Sequence, residues 1–300
     1  MLIRDDDGSH RELLGHLLTT NSIRKKDATE ITFDPGRVIS WRVVPDQPRR
    51  RPTSLRIREI ELASDATWPA VEVVDLGGWR LRASGGFTQR ANSVLPVGAP
   101  PYGEPTGDLE AALKTVVDFY RSRELIPRFQ IPLPSYGPLD AVLEEQGWES
   151  TLSVSVQICD LAVLASAPEH QVTISALDDE WLAIFPPPLG QDGLAVLTGG
   201  GAFFATIHQL DPGSGQQVVA AIGRGAVFGD WCGITAINTS SQFQQRGLAT
   251  SIIRALAQHA FSLGADRTFL QVSPNNSPAL ALYRKLGFTE HHTYSYRSLP

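Results

Sequence analysis

The chain has 300 residues, more than one compact core usually organises, so two domains or a duplicated unit with a small extra module are expected. Hydrophobic residues make up 42% of the sequence and charged residues 19%, a globular composition that excludes a disordered chain. The formal net charge of −6 argues against non-specific nucleic-acid binding, because that binding needs a positive surface field.

The two cysteines, Cys159 and Cys232, each lie in an apolar, strand-like run and are far apart in the sequence. This placement favours buried thiols in a reducing cytosol over a disulfide or a metal site. The sequence begins without an apolar segment of signal-peptide length, and it has no uninterrupted apolar run long enough to span a membrane. We therefore expect a cytoplasmic protein with no membrane partner and no bound metal.

The first part of the chain carries short β-type runs separated by polar turns, which predict a small β-barrel-like module over residues 1–45. Residues 46–54 follow as a linker, because their prolines lack backbone N–H donors and their arginines repel one another. The basic triplet Arg49 to Arg51 within this linker is either a solvated spacer or a contact for nucleic acid or an acidic partner.

After the linker, helical and strand-like patterns alternate, and the same order occurs twice. The first copy reads helix Asp108–Leu125, strand Arg128–Pro132, a helix ending near Gly147 and strand Leu152–Leu161; the second reads helix Ala249–Leu263, strand Thr268–Pro274, a helix ending near Gly287 and strand Thr293–Arg297. Matching landmarks such as Gln130 and Gln271 are 141 residues apart, and Gly147 and Gly287 are 140 apart. This register predicts a duplication into α/β domains at 55–165 and 166–300.

The segment from Gln244 to Ala249 reads Gln-Gln-Arg-Gly-Leu-Ala and joins an apolar strand to the second-copy helix. The first N–H groups of a helix point outward and carry the positive end of its dipole, so this junction suits a phosphate. Gly247 permits close backbone approach and Arg246 adds a positive charge. The alternative is that this turn only caps the helix, a role that the same residues would also fulfil. The first copy instead carries Glu104, Pro105 and Asp108, which would repel a phosphate or lack a donor.

Two motifs together resemble the signatures of the GCN5-related N-acetyltransferase (GNAT) superfamily. Gln244-x-x-Gly247-x-Ala249 is similar to its pyrophosphate-binding loop, and residues 276–288 are similar to its Asn-x-x-Ala-x-x-Leu-Tyr-x-x-x-Gly-Phe signature. The detailed match covers residues 215–297, and the first copy resembles a degenerate GNAT domain. The resemblance implies an α/β fold with mixed sheets, in which two tandem GNAT-like domains follow a small β module, an arrangement of actinobacterial type.

The resemblance also implies a reaction and its residues. Acetyl-CoA would be the co-substrate, and the acceptor would be a primary amine on a small molecule, a peptide terminus or a lysine. Tyr283 would act as the general acid near the sulfur, although an aromatic residue beside Leu282 and Leu286 also suits simple packing. The cofactor contacts implied by the family pattern are Ile237, Thr239, Gln244, Gln245, Arg246, Gly247, Leu248, Ala249, Thr250 and Asn276.

The general base is where the sequence departs from the family pattern, because the preceding strand lacks the usual early glutamate. Asp230 is the nearest carboxylate, although an aspartate in a turn also commonly caps or faces solvent. The histidines His208, His291 and His292 are further candidates, as is water.

Acceptor binding is predicted in the first copy, where a glycine-rich turn precedes Arg90 and Asn92. These side chains either reach into the cleft between the copies or belong to a hairpin whose polar groups are satisfied. A CoA-binding regulatory protein with little catalysis and a mycothiol-synthase-like acetyltransferase stay open as alternative functions. The oligomeric state is also open, a homodimer included.

Overall fold

A computed structural model of the protein describes residues 1–5, 8–13, 15–25, 29–41, 53–186 and 189–300. The chain divides into two compact units, Met1–Arg50 and Arg51–Pro300. The arginine triplet and residues 46–52 of the predicted linker lie outside the described residues. The last two linker residues differ from the prediction, because a helix already begins at Thr53.

The first unit is built from short strands, as predicted for a small β module. They are β1 Leu2–Arg4, β2 His10–Glu12, β3 His16–Thr19, β4 Ser22–Arg24, β5 Glu30–Thr32 and β6 Val38–Ser40. They form two separate three-stranded sheets, β2-β1-β6 and β3-β4-β5, so the described strands do not close into the barrel that the sequence suggested. Among its described side chains, Ile3, Leu13 and Ile23 form a buried apolar cluster.

The second unit carries both copies of the repeat. Its first half contains α1 Thr53–Thr67, β7 Glu72–Leu76, β8 Trp79–Ala83, β9 Val94–Pro96, α2 Leu109–Arg121, β10 Arg128–Leu133, α3 Gly137–Glu145 and β11 Glu149–Asp160. Its second half contains β12 Thr173–Ser175, α4 Asp179–Ala183, α5 Gln191–Thr198, β13 Phe203–Leu210, β14 Gln217–Phe228, β15 Trp231–Thr239, α6 Leu248–Ser262, β16 Arg267–Val272, α7 Ser277–Lys285 and β17 Thr289–Ser298.

The strands of both halves join in one mixed sheet of eleven strands, in the order β12-β13-β14-β15-β16-β11-β17-β10-β9-β8-β7. The pairs β15–β16 and β9–β10 are parallel, and the other neighbours are antiparallel. This architecture confirms the predicted mixed-sheet α/β class. The boundary between the copies near residue 165 stays a prediction, since the structure places no break in the sheet there.

The centre of the sheet is made by exchange of the final strand of each half. β11 lies between β16 and β17, and β17 lies between β11 and β10. Val156 pairs with Gln271, and Gln130 pairs with Tyr296. Tyr296 follows Val156 by 140 residues and Gln271 follows Gln130 by 141, so the two pairs are equivalent positions of the repeat. Each half therefore completes its sheet with a strand from the other half.

Helices cover the second-half strands on both faces. On one face, α6 packs its buried residues Ile252, Ile253 and Leu256 over β13, β14 and β15. On the other face, Ile60 and Ala63 of α1 pack with Trp231, Phe269 and the tyrosines of β17. Helix α1 was not predicted from the sequence, and its position links the start of the unit to the second-half sheet.

The exchange predicts that residues 166–300 will not fold alone, because β16 and β17 would then expose the edges that β11 covers. We expect this fragment to be insoluble or to lack cooperative thermal unfolding by circular dichroism. Coexpression with residues 53–165 should restore a soluble complex, and residues 53–300 serve as the intact control. Cooperative unfolding of the isolated fragment would contradict this account.

Candidate active site

The site begins where two parallel strands separate. β15 and β16 pair from Trp231 to Ile234, and their ladder ends there. Just beyond, Ala236 and Ile237 together face Gly223 of β14, and Ala236 has a positive φ of 54°. This is a β-bulge, which bends a strand and ends its pairing on one side. Among the described residues, 235–239 therefore have no ladder partner on the side that faces β16, which leaves a wedge between the strands.

A helix N-terminus lies at the end of the same strand. Gly247 precedes α6 with φ 80° and Gln245 has φ 61°, so the turn uses left-handed backbone. No side chain caps the helix, and in the described part of the chain the amides of Leu248, Ala249 and Thr250 have no hydrogen-bond acceptor. These free donors at the positive end of the helix dipole suit a phosphate group.

The side chains of the loop have different surroundings. The Gln244 amide nitrogen donates to the carbonyl oxygen of Thr239 at 3.4 Å and so ties the loop to the end of β15. The Arg246 guanidinium lies 5.5 Å from the ring centre of Phe243. The Leu248 side chain is buried in the core, so only its backbone is available to a ligand.

An acidic residue borders the loop. Glu169 Oε2 lies 3.7 Å from the position of a Cβ on Gly247, and the other carboxylate oxygen lies 3.7 Å from Arg254 Nη1. The neighbouring His170 Nε2 is 2.8 Å from the carbonyl oxygen of Arg246. The Glu169 side chain is 72% exposed, so it is free to turn into solvent, but its charge opposes a phosphate at this position.

Tyr283 lies on α7, half-buried, with its ring centre 5.8 Å from that of Phe288. Its hydroxyl has no hydrogen-bond partner among the residues that the structure describes. Burial raises the pKa of this phenol, so it keeps its proton at neutral pH. Asn276 caps the same helix, since its side-chain oxygen accepts from the Ala279 amide at 3.2 Å.

The predicted bases lie away from the wedge or have other partners. Asp230 precedes β15, at the end opposite the loop, roughly 30 Å from Thr239 at the usual rise of a strand. Its carboxylate is bonded to Arg267 Nη2 at 3.0 Å, so the structure gives it an ion-pair role and not that of a base at the loop end. His208 pairs with the exposed Glu180 at 2.9 Å.

The other two histidines lie at the start of β17. His292 is buried against Glu61 of α1, with Nε2 2.8 Å from the carboxylate oxygen. The Nδ1 atoms of His291 and His292 are 2.9 Å apart. Burial is the main cause that lowers the pKa of His291 to about 4, and the neighbouring His292 adds to it. His291 is therefore a weak base at neutral pH.

The two predicted acceptor-binding residues have different surroundings in the structure. Asn92 uses its side chain to hold the glycine-rich turn, because its oxygen accepts from the amides of Ser84 and Gly86 and its nitrogen donates to the carbonyls of Phe87 and Thr88. With these four bonds made, Asn92 supports the turn, and the predicted contact with substrate does not fit its geometry. Arg90 instead extends over the indole ring of Trp68, with its guanidinium carbon 5.7 Å from the ring centre.

Sequence reasoning missed Arg224, which lies on β14 beside the bulge. It is fully buried, and its Nε donates to the Leu197 carbonyl at 2.7 Å and its Nη2 to the Gly199 carbonyl at 2.8 Å. The only signal in the sequence was a single arginine within the small and apolar run Ala220 to Val227.

A pocket of about 570 Å³ opens between the glycine-rich turn and the start of α5. Phe87 and Thr88 form part of one wall, and Asp192 lies on the other. This volume is within the usual range for small-molecule sites.

Comparison with known proteins assigns the family. The family model described as "Probable histone acetyltransferase Rv0428c C-terminal" matches residues 53–297. The "Probable histone acetyltransferase Rv0428c" of Mycobacterium tuberculosis is 28% identical over 298 residues, which cover 95% of this chain and 88% of that protein. The "Uncharacterized N-acetyltransferase YobR" of Bacillus subtilis is 30% identical over 250 residues, covering 79% and 97%. The chain belongs to the GCN5-related N-acetyltransferase superfamily.

A solved structure shares the fold of this acetyltransferase. The GCN5-related N-acetyltransferase from Kribbella flavida superposes with a TM-score of 0.61 at 17% identity, covering 81% of this chain and 95% of that one. Within the described ranges, no helix is long and apolar enough to cross a membrane. No group of three or more His, Cys, Asp or Glu side chains in those ranges has the arrangement of a metal site.

The position of Glu169 predicts a gain in CoA affinity when its charge is removed. Glu169→Gln should lower the dissociation constant for CoA roughly threefold at low salt, with a smaller gain at high salt, since the effect is electrostatic and partly exposed. Isothermal titration calorimetry measures both values. The matched control is Glu145→Gln on the exposed side of α3, which should leave CoA affinity unchanged. Equal affinity of the Glu169 variant and the native protein would place the phosphates elsewhere.

Proposed function

We propose that this protein transfers the acetyl group of acetyl-CoA to a primary amine. The observation that supports this most directly is the order of two features along the chain. The open strand edge at 235–239 is followed, after residues 240–247, by the uncapped amides of α6. The free edge around Ile237 and Thr239 would hydrogen-bond the pantetheine arm as an additional strand would. The amides from Gln245 to Thr250 would hold the pyrophosphate.

The reaction is direct transfer. The lone pair of the neutral amine attacks the thioester carbonyl carbon, and a C–N bond forms. Charge develops on the carbonyl oxygen, where a backbone N–H of the bulged segment stabilises it. The C–S bond then breaks, and the Tyr283 hydroxyl donates its proton to the leaving thiolate. The proton of the new ammonium passes to water, and the phenolate regains a proton from solvent.

No side chain is assigned as the base in this mechanism. Asp230 is held by Arg267, and His291 has a pKa of about 4, so neither suits removal of an amine proton at this site. The amine would instead enter in its neutral form, and the rate would rise with pH toward the amine pKa. Burial raises the pKa of Tyr283, so the acid is protonated at neutral pH.

The role of Tyr283 predicts a loss of turnover on removal of one oxygen. Tyr283→Phe should lower kcat by about 100-fold or more, the usual contribution of general acid catalysis, while KM for acetyl-CoA stays within about twofold. Release of free CoA thiol with a panel of primary amines measures both constants. The control is Tyr102→Phe, since Tyr102 is 40% exposed. Unchanged turnover in the Tyr283 variant would show that the tyrosine only packs. CoA binding without turnover for any amine would instead favour a regulatory protein.

A further inference from the structure

Two arginine side chains lie over one tryptophan at the junction of the two halves. Trp68 follows α1 and is buried, and the guanidinium carbon of Arg224 lies 4.8 Å from its ring centre. Arg90, from the first half, lies 5.7 Å from the same ring centre. Cation–π attraction holds planar guanidinium groups on such a ring.

The charge of this pair is not compensated by the described residues. Arg224 is fully buried and bonds only to neutral oxygens, the carbonyls of Leu197 and Gly199 and, at 3.4 Å, the hydroxyl of Thr235. Arg90 has a buried Nε without a hydrogen-bond partner and lies beside the Tyr294 hydroxyl. In the described ranges neither arginine forms an ion pair with a carboxylate.

Arg82, unlike Arg224, is a buried arginine with a carboxylate partner. It is as deeply buried as Arg224, but its Nη1 lies 2.9 Å from the carboxylate of Asp65. A buried charge without a counter-ion destabilises a fold, so buried charges are normally paired. Burial is the main cause that lowers the pKa of Arg224 to about 9, and repulsion from Arg90 adds to it. Arg224 is still charged at neutral pH. An anion bound here would supply the missing partner.

The location of the pair connects it to the reaction. Arg224 is the ladder partner of Thr235, the residue before the bulge, at the end of the free β15 edge that is farther from the Gly247 loop. The phosphates of CoA would lie at the loop end, so they are poorly placed to reach the arginines. Trp68 stacks on Phe87 and donates to the Thr88 hydroxyl at 3.2 Å, and both of these residues line the 570 Å³ pocket.

We propose that Arg90 and Arg224 bind an anionic group of the acceptor, so that the acceptor is a small molecule carrying an amine and an anion on one short skeleton. This inference rests on the proposed function and names its substrate class. The anion is a carboxylate, phosphonate or sulfonate. A cationic acceptor such as a lysine-rich peptide would meet two positive charges beside the bulge and is disfavoured.

The first experiment compares amines that differ only in the group at the other end of the carbon chain. ω-Amino acids of two to six carbons, their amides and the matching diamines are assayed with acetyl-CoA. We expect at least one amino acid to have a kcat/KM tenfold or more above its amide, and the diamine to be the poorest of the three. The corresponding aminoalkyl phosphonate and sulfonate show which anion the site prefers.

The second experiment tests the residues. Arg90→Gln should lower kcat/KM for the preferred amino acid about tenfold, mainly through KM, and abolish its advantage over the amide. Arg90→Glu should shift the preference toward the diamine. Arg121→Gln, on the exposed surface of α2, removes the same charge and should leave kinetics unchanged. Arg90 is chosen because Arg224 is fully buried and its variants are expected to unfold.

A binding measurement separates the two proposals. Calorimetry of the amino acid with the CoA-bound protein should show binding that Arg90→Gln weakens about tenfold. Acetylation of diamines and amides as well as amino acids, without an effect of Arg90 variants, would overturn the anion site and leave acetyl transfer standing. Binding of the amino acid that depends on Arg90, without turnover of any amine, would support the anion site and overturn the proposed function.

Discussion

The separation of β15 from β16 after Ile234 is the constraint on which the rest of the site depends. A parallel ladder that continued to Thr239 would satisfy every backbone group and leave nothing for a ligand. The two residues opposite Gly223 prevent this. The bulge fits only because position 223 is a glycine: a Cβ there would lie 2.4 Å from the Ile252 side chain and 2.7 Å from the Ile237 side chain. The wedge at 235–239 and the pairing of Arg224 with Thr235 both lie at this local change of register.

The first half of the unit contributes to the second-half sheet through contacts that no separate domain would make. Gly233 lies against α1, where a Cβ would approach the Thr67 hydroxyl to 2.6 Å. Farther along the sheet, Gln271 donates to the Ser64 hydroxyl at 2.9 Å. The exchanged strands β11 and β17 fasten the halves in the middle. A copy that lacks a phosphate loop therefore still covers the sheet and supplies Arg90.

The sequence predicted the elements whose patterns are strong. Helix α6 and its loop were readable because the buried residues follow helical spacing and Gly247 stands at the required left-handed position. Helix α1 was missed because its buried face includes Glu61, Ser64 and Asp65, whose partners lie on distant strands, so its apolar periodicity is weak. Strand exchange was also hidden, since the local pattern of β11 is the same whichever strand it pairs with. Arg224 gave only the weak signal of a lone arginine in an apolar run, because its contact with Trp68 and the absence of an acid beside it among the described residues are visible only in the fold.

Hydrogen–deuterium exchange with and without acetyl-CoA tests the central claim most directly. In 235–239 the amides that point away from β14 face an open edge, and the amides of Leu248, Ala249 and Thr250 have no acceptor among the described residues, so these amides of the two segments should exchange rapidly in the free protein. Acetyl-CoA should slow exchange in both segments by about tenfold or more, with no change in the distant β7–β8 pair. Protection confined to other parts of the chain, with 235–239 and 245–250 unaffected, would contradict the assignment of this wedge as the cofactor site.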